Sequence, residues 1–208
     1  MTAEHYFSAR PRAPHRPGRV RVILPDVHLD LATDAGVFSP GRLDPGTRLL
    51  LDAAPPPPAS GALLDLGCGY GPIACVLAAR SPGAAVWALD VNTRALALCA
   101  RNAAAAGLAN VRCVTPGDRA IPAQLAGIWS NPPVRVGKQA LHQLLSAWLD
   151  RLAPGARAYL VAARNLGADS LHRWLAGQGW PVTRLAARSG YRLLQVDFSA
   201  ERAVVTPP

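Results

Sequence analysis

Beyond residue 60, short apolar runs alternate with longer amphipathic segments, and this alternation limits the fold more than any other feature of the chain. "ALLDL", "AAVWALD", "VRCVT", "GIWSN" and "RAYLVAA" have the length and apolarity of buried strands. "GPIACVLAARS", "TRALALCARNAAAA", "LHQLLSAWLDRL" and "DSLHRWLAGQG" have helical spacing. Asn92 is the expected cap of the second of these helices and Gly107 its end. In the third, Leu141, Leu144, Leu145, Trp148, Leu149 and Leu152 share one face, and Pro154-Gly155 is expected to stop it. Strand–helix alternation implies a parallel sheet covered by helices on both faces. "VTRLAAR" and "YRLLQVDF" are joined only by Ser189-Gly190, so they must be antiparallel, because a parallel return needs a long crossover. The expected fold is α/β: a Rossmann-like, doubly wound, seven-stranded sheet, mostly parallel with an antiparallel last strand.

The first part of the chain has a different pattern. "RVRVIL" and "VHLDLA" alternate apolar with polar residues across Pro25-Asp26, as in a β-hairpin with one wet face. A glycine-punctuated loop then leads to a short helix around Thr47 to Ala54, and Pro55 to Pro58 form a stiff spacer. Residues 1–58 are therefore expected to be a hairpin extension on the substrate side, packed on a main domain spanning 59–208.

Composition excludes several classes. Half of the 208 residues are apolar and 17% are charged, the balance of a globular chain with a full-sized core. No apolar run approaches the roughly 18 residues of a membrane span, and "MTAEHYFSAR" has no signal-peptide core, so a cytoplasmic protein is expected. Cys68, Cys75, Cys99 and Cys113 form no CxxC pair and have no histidine at zinc-ligand spacing. They read as small buried apolar groups, with no metal site. Net charge is +9, and all but one of the 22 basic residues are arginine, as GC-rich coding alone would give. Their distribution says more. Arg10, Arg12, Arg16, Arg19 and Arg21 crowd the start, an arm suited to phosphates or simply to solvent.

Two motifs carry chemistry. "LLDLGCGYGP" follows the first strand of the alternating region, where Gly67, Gly69 and Gly71 let backbone approach a ligand at a helix start. Asp65 stands before the loop, placed to accept from an ammonium. Asp90 ends the next strand and suits a ribose diol, or else serves as an acid beside the Asn92 cap. Asp118, after the third strand, suits an adenine amino group or is a plain turn residue. These features describe S-adenosylmethionine as well as NAD. "SNPP" separates them. Pro132 pushes Asn131 toward an extended conformation, and two ring-fixed φ angles stiffen the loop. The Asn131 side-chain carbonyl and the Pro132 backbone carbonyl then form a pair of acceptors suited to a planar –NH2, with Pro133 holding the turn. Gripping both hydrogens pulls such a nitrogen toward tetrahedral and aims its lone pair at a methyl donor, which is catalysis by positioning.

At these residues the chain resembles the class I S-adenosylmethionine-dependent methyltransferases of amino groups. "HYFSARP", "GVFSPGRLDPGTRLLL" and "SGYRLLQV" make it similar to the catalytic half of the small-subunit ribosomal RNA guanine-N2 methyltransferases. That resemblance implies S-adenosylmethionine as cofactor, held by Asp65, Gly67, Cys68, Gly69, Gly71, Asp90, Val91, Asp118, Asn131 and Thr47. It makes Asn131, Pro132 and Pro133 the amine clamp, and implies that the loop around Phe38, Asp44, Gly46 and Thr47 closes over cofactor and substrate. RNA is the implied partner, met by Phe38, Arg135, Lys138, Arg12 and Arg16. The sequence departs from the bacterial rRNA enzymes after the clamp, with Val134 and Arg135 where they have an aromatic residue and a histidine. Base stacking is then expected from Tyr6, Phe7, Phe38 or Trp129. The large members also carry an N-terminal half that this sequence does not include. A methyltransferase of a protein glutamine amide or of a small molecule, or a non-catalytic cofactor-binding homologue, are the alternative readings.

Overall fold

The computed structural model describes residues 13–133 and 136–199. Two antiparallel strands come first, β1 (Gly18–Ile23) and β2 (His28–Thr33), paired from Gly18↔Thr33 to Ile23↔His28. Val20, Val22 and Leu31 turn inward while Arg19 and Arg21 stay in solvent, as the alternation requires.

Helix α1 (Pro45–Ala53) follows, with Asp44 as its cap. The alternating region then gives β3 (Gly61–Leu66), α2 (Pro72–Arg80), β4 (Ala84–Leu89), α3 (Thr93–Ala105), β5 (Val111–Val114) and β6 (Leu125–Ser130). It continues through α4 (Lys138–Leu149), β7 (Leu152–Ala163), α5 (Ala168–Gly177), β8 (Val182–Arg188) and β9 (Tyr191–Asp197). The last seven strands form one sheet in the order β5-β4-β3-β6-β7-β9-β8. Pairing is parallel from β5 to β7, and β9 runs antiparallel to both β7 and β8. The chain leaves β3 toward β4 on one side and returns to β6 on the other. That reversal opens a crevice at the strands' carboxyl ends.

The hairpin, α1, α2 and α3 share one apolar cluster with alternate residues of the sheet, among them Val22, Leu50, Leu63, Val76 and Cys99. The opposite face of the sheet packs on α4 and α5 through Leu64, Ile128, Leu145, Leu160 and Leu171. Leu63 and Leu64 go to different clusters because successive strand residues point to opposite faces. Polar bonds fix the hairpin where apolar packing alone would let it slide. Asn102 of α3 accepts from Ala32 N at 2.8 Å and donates to Ala32 O at 2.9 Å. Arg94 donates to the carbonyls of Ala13 and Ala35.

One expected boundary moves. The third helix starts at Lys138 and ends at Leu149, and Pro154-Gly155 lies inside β7 instead of stopping a helix. Leu125 pairs with Leu152 and Gly127 with Arg157, so the register shift between them absorbs the Pro-Gly step.

Candidate active site

A cavity of about 480 Å³ opens at the carboxyl ends of β3, β4, β6 and β7, within the size range of cofactor and substrate pockets. Gly67 and Gly69 form one wall, with Asp90 and Val91 beside them and Asn131, Pro132 and Pro133 opposite the Phe38 segment. These eight expected residues are brought together.

The glycine loop is built by conformation as much as by size. Gly67, Gly69 and Gly71 all have positive φ, at 81°, 56° and 93°. A Cβ on Gly69 would meet nothing within 4 Å, and one on Gly67 only Pro133 Cδ at 4.0 Å, so both bare backbones face open space. Gly71 is different. Its added Cβ would lie 2.6 Å from Cys99 Sγ, so it serves the packing of α2 on α3 and does not line the cavity.

Asp90 has two attachments. Its Oδ2 accepts from Gly69 N and its Oδ1 from Asn92 N, both at 2.9 Å, so it ties the glycine loop to the start of α3 while lining the cavity. Burial raises its pKa. Asn92 caps α3 by accepting from Arg94 N and Ala95 N, and its Nδ2 donates to Gly36 O at 2.8 Å. That last bond anchors the segment carrying Val37 and Phe38 against the cavity.

Asp65 lies behind the loop instead of in the lining. It is fully buried, its Oδ2 accepts from Ala74 N at 2.9 Å, and its Oδ1 has no hydrogen-bond partner among the described residues. Burial, helped by the charge of Asp90, pushes its pKa up to about 8.

Cys68 is likewise buried beneath the loop, and burial pushes its thiol up to about 12, so it packs as a neutral group. The four cysteines are free thiols. Among the described residues no group of three or more His, Cys, Asp or Glu is arranged to hold a metal ion.

The clamp loop has a fixed amide. Asn131 Nδ2 donates to Asp44 Oδ2 at 2.8 Å and to Thr47 Oγ1 at 3.0 Å. Thr47 is thus a buried support for Asn131, outside the lining. The Pro133 carbonyl accepts from Val136 N at 3.1 Å.

Other expected residues stand elsewhere. Asp118 is exposed in a turn, accepting from Ala120 N at 2.9 Å, because the chain bends away at Pro116-Gly117, and Pro116 lines the cavity instead. Trp129 cannot stack on a base. It is 2% exposed and packs on Tyr159, with ring centroids 5.2 Å apart, because its position in β6 points into the core. Arg16 and Lys138 are exposed and outside the lining. Tyr6, Phe7, Arg12, Val134 and Arg135 lie outside the described residues.

Tyr191, which sequence reasoning did not single out, lines the cavity. It pairs with Ala163 at the carboxyl end of β7. An antiparallel strand begins where its parallel neighbours end, so the topology already indicated that its first residue would reach the crevice.

The family model described as the methyltransferase small domain matches residues 28–195, from β2 through most of β9. The chain belongs to the methyltransferase small domain family.

Among relatives of this methyltransferase, the uncharacterized protein YbxB of Bacillus subtilis (strain 168) is 31% identical over 196 residues, covering 93% of this chain and 98% of that protein. Ribosomal RNA small subunit methyltransferase C of Pseudomonas aeruginosa (strain UCBPP-PA14) is 36% identical over 189 residues. That match covers 89% of this chain but 54% of the relative, so the chain spans about half the length of that enzyme. The fold is similar to that of the T. thermophilus 16S rRNA N2 G1207 methyltransferase (RsmC), solved in complex with AdoMet and guanosine. The TM-score is 0.73 at 22% identity, over 89% of this chain and 52% of that one.

Proposed function

We propose that this methyltransferase transfers a methyl group from S-adenosylmethionine to the N2 amino group of a guanine in small-subunit ribosomal RNA. One observation carries the reading. Both donors of the Asn131 amide are spent on Asp44 and Thr47, so the one group that Asn131 has left for the cavity is an acceptor, Oδ1. A residue that can only accept suits an incoming –NH2.

The residues present fit the cofactor. Gly67 and Gly69 leave a wall that a Cβ would fill, Asp90 supplies a carboxylate in the lining, and Asp65 Oδ1 is a buried polar atom without a partner among the described residues. Gly67 and Gly69 would admit the methionine part and Asp90 the ribose diol. When bound, S-adenosylmethionine supplies an electrophilic methyl on a sulfonium.

The chain's own part is orientation. Asn131 Oδ1 and the Pro132 carbonyl accept the two amino hydrogens, and the nitrogen's lone pair turns out of conjugation with the ring. The nitrogen would then take the methyl carbon as that carbon's bond to the sulfonium sulfur breaks, leaving S-adenosylhomocysteine, and would give up one proton to solvent. A pinned acceptor needs no reorganisation at that moment, which is where its rate advantage lies. The sequence likeness to ribosomal RNA small subunit methyltransferase C, and the fold likeness to an enzyme described as a 16S rRNA N2 G1207 methyltransferase, support guanine N2 over an amide nitrogen.

The test supplies the enzyme and labelled methyl donor to an extract of cells lacking its gene. Label recovered as 2-methylguanosine from small-subunit RNA is the expected result. Label confined to protein or to small metabolites discards the RNA reading and keeps the cofactor site and clamp.

A further inference from the structure

The Asn131 amide is held by a residue that itself stands at the edge of the cavity lining, Asp44. Asp44 is 8% exposed, and its carboxylate joins three segments remote in sequence. Oδ2 accepts from Thr47 N at 2.9 Å, which caps α1, and also from Asn131 Nδ2 at 2.8 Å. Oδ1 accepts from Tyr191 OH at a longer 3.3 Å. Gly46 makes room for this arrangement. A Cβ there would stand 2.5 Å from the Tyr191 ring and 2.9 Å from Asp44 Oδ2.

The side chain does more than cap. Serine or threonine would cap α1 nearly as well. Both oxygens of Asp44 accept here, Oδ2 from Thr47 N and Asn131 Nδ2 and Oδ1 from Tyr191 OH, so the site tolerates one orientation of the neighbouring amide. Turning Asn131 over would set its carbonyl oxygen against Asp44 Oδ2 and point two N–H donors at the target. An –NH2 substrate, itself a donor, would then meet donors.

We propose that Asp44 is the positioning residue of the methyl transfer: it fixes the Asn131 side chain so that the amide oxygen, not the nitrogen, is presented to the target amine. This rests on the reading of Asn131 as the amine clamp given above.

Asp44→Ser keeps a cap for α1 but is too short to reach Asn131, whereas Asp44→Asn keeps an oxygen that serves both bonds. With the fraction of the extract that takes the label as substrate, Asp44→Ser should lower kcat roughly ten- to a hundredfold, at or below the lower end of the effect of losing one preorganised group, since Asp44 acts through Asn131. KM and the affinity for S-adenosylhomocysteine should stay within about twofold, and Asp44→Asn should recover most of kcat, as expected when only transition-state positioning is lost. In an Asn131→Ala background, Asp44→Ser should cost nothing further, since residues acting as a unit are non-additive. Multiplicative losses in the double variant overturn the positioning role. Wild-type turnover in Asn131→Ala instead overturns the clamp itself, so the two failures are distinct.

One further measurement holds if Asp44→Ser folds poorly, and a second if no fraction takes label. Thr47→Val removes one of the two amide acceptors while keeping side-chain shape, and its loss of turnover should also vanish without Asn131. Solvent exchange of the Asn131 side-chain N–H signals, identified by their absence in Asn131→Ala, should quicken at least tenfold in Asp44→Ser or Thr47→Val and stay slow in Asp44→Asn, because a hydrogen-bonded N–H exchanges only when its bond opens. Unchanged exchange in both Asp44→Ser and Thr47→Val overturns the proposal whatever the substrate.

Discussion

Asp65 Oδ2 accepts from Ala74 N at 2.9 Å inside a site that excludes water, and the partner oxygen accepts from nothing among the described residues. One hydrogen bond from the first turn of α2 does not offset the burial of a full charge. The carboxyl therefore stays protonated in the folded chain up to about pH 8, far above its ordinary value of 3.8.

That gap sets the first prediction. Between pH 3.8 and about 8 the folded chain holds a proton on Asp65 that the unfolded chain has released. Stability from this group is thus fully present below the lower value, falls as pH rises through the window, and levels off above it. Asp65→Asn carries no titrating group, so its unfolding free energy should fall less over the same range. Urea melts at several pH values measure this in the protein without cofactor. Parallel pH profiles for the variant and the wild type sink it.

Asp90 has a different balance of partners. Both its oxygens already accept from backbone, yet it lines the cavity, and each carboxylate oxygen has lone-pair capacity for a second donor. Asp90→Ala should weaken binding of S-adenosylhomocysteine by about 1–3 kcal/mol, the usual result of leaving bonded polar groups unpaired. It should also lower the melting temperature, since Gly69 N and Asn92 N lose their acceptor. Calorimetry showing unchanged affinity together with a lowered melting temperature would make Asp90 a scaffold residue alone.

Much of this site could be read from the sequence because the chemistry is local. Gly67, Gly69, Asp90 and the Asn131-Pro132-Pro133 turn each follow a strand directly, so the topology alone carries them to one edge. The supports of Asn131 could not be read in that way. Asp44 lies 87 residues away from it, and Tyr191 is 147 residues from Asp44. The sequence around Asp44 shows only its cap, through Pro45 at the first helical position and Thr47 donating back. Pro154-Gly155 failed as a helix stop for the converse reason. A strong local turn signal gave way to strand pairing with β6 and β9, which the sequence around it does not display.

Gly71 offers a test of backbone strain against overlap. With φ at 93° and a Cβ position 2.6 Å from Cys99 Sγ and 3.2 Å from Cys99 Cα, Gly71→Ala suffers both penalties. Positive φ alone costs an ordinary residue roughly 1–2 kcal/mol, and overpacking a core adds typically 1–3. Gly117 has a similar φ of 90° with nothing within 4 Å, so Gly117→Ala suffers the first penalty only. Chemical denaturation should rank Gly71→Ala below Gly117→Ala by more than 1 kcal/mol. Equal losses would show that α2 and α3 separate easily at this point.

The proposed RNA contact makes a prediction in salt. Arg16 is exposed, and its backbone N–H donates to Asp34, two residues before the Gly36 carbonyl that Asn92 holds against the cavity. Lys138 is exposed at the start of α4, five residues beyond Pro133. If both cations flank the entry and meet phosphates, each contact releases counterions, and the slope of log affinity against log salt reports their number. Arg16→Ala and Lys138→Ala should each make that slope shallower by about 0.7–0.9 when small-subunit RNA is titrated against the enzyme. Arg80 is the control. It lies at the end of α2 away from the glycine loop, paired with Asp26 through bonds of 2.7 and 2.9 Å, so Arg80→Ala should leave the slope alone. A steep slope that none of the three changes would place the RNA on another face. No slope in the wild type would remove phosphates from the recognition and leave an amide or a small molecule as the group in the clamp.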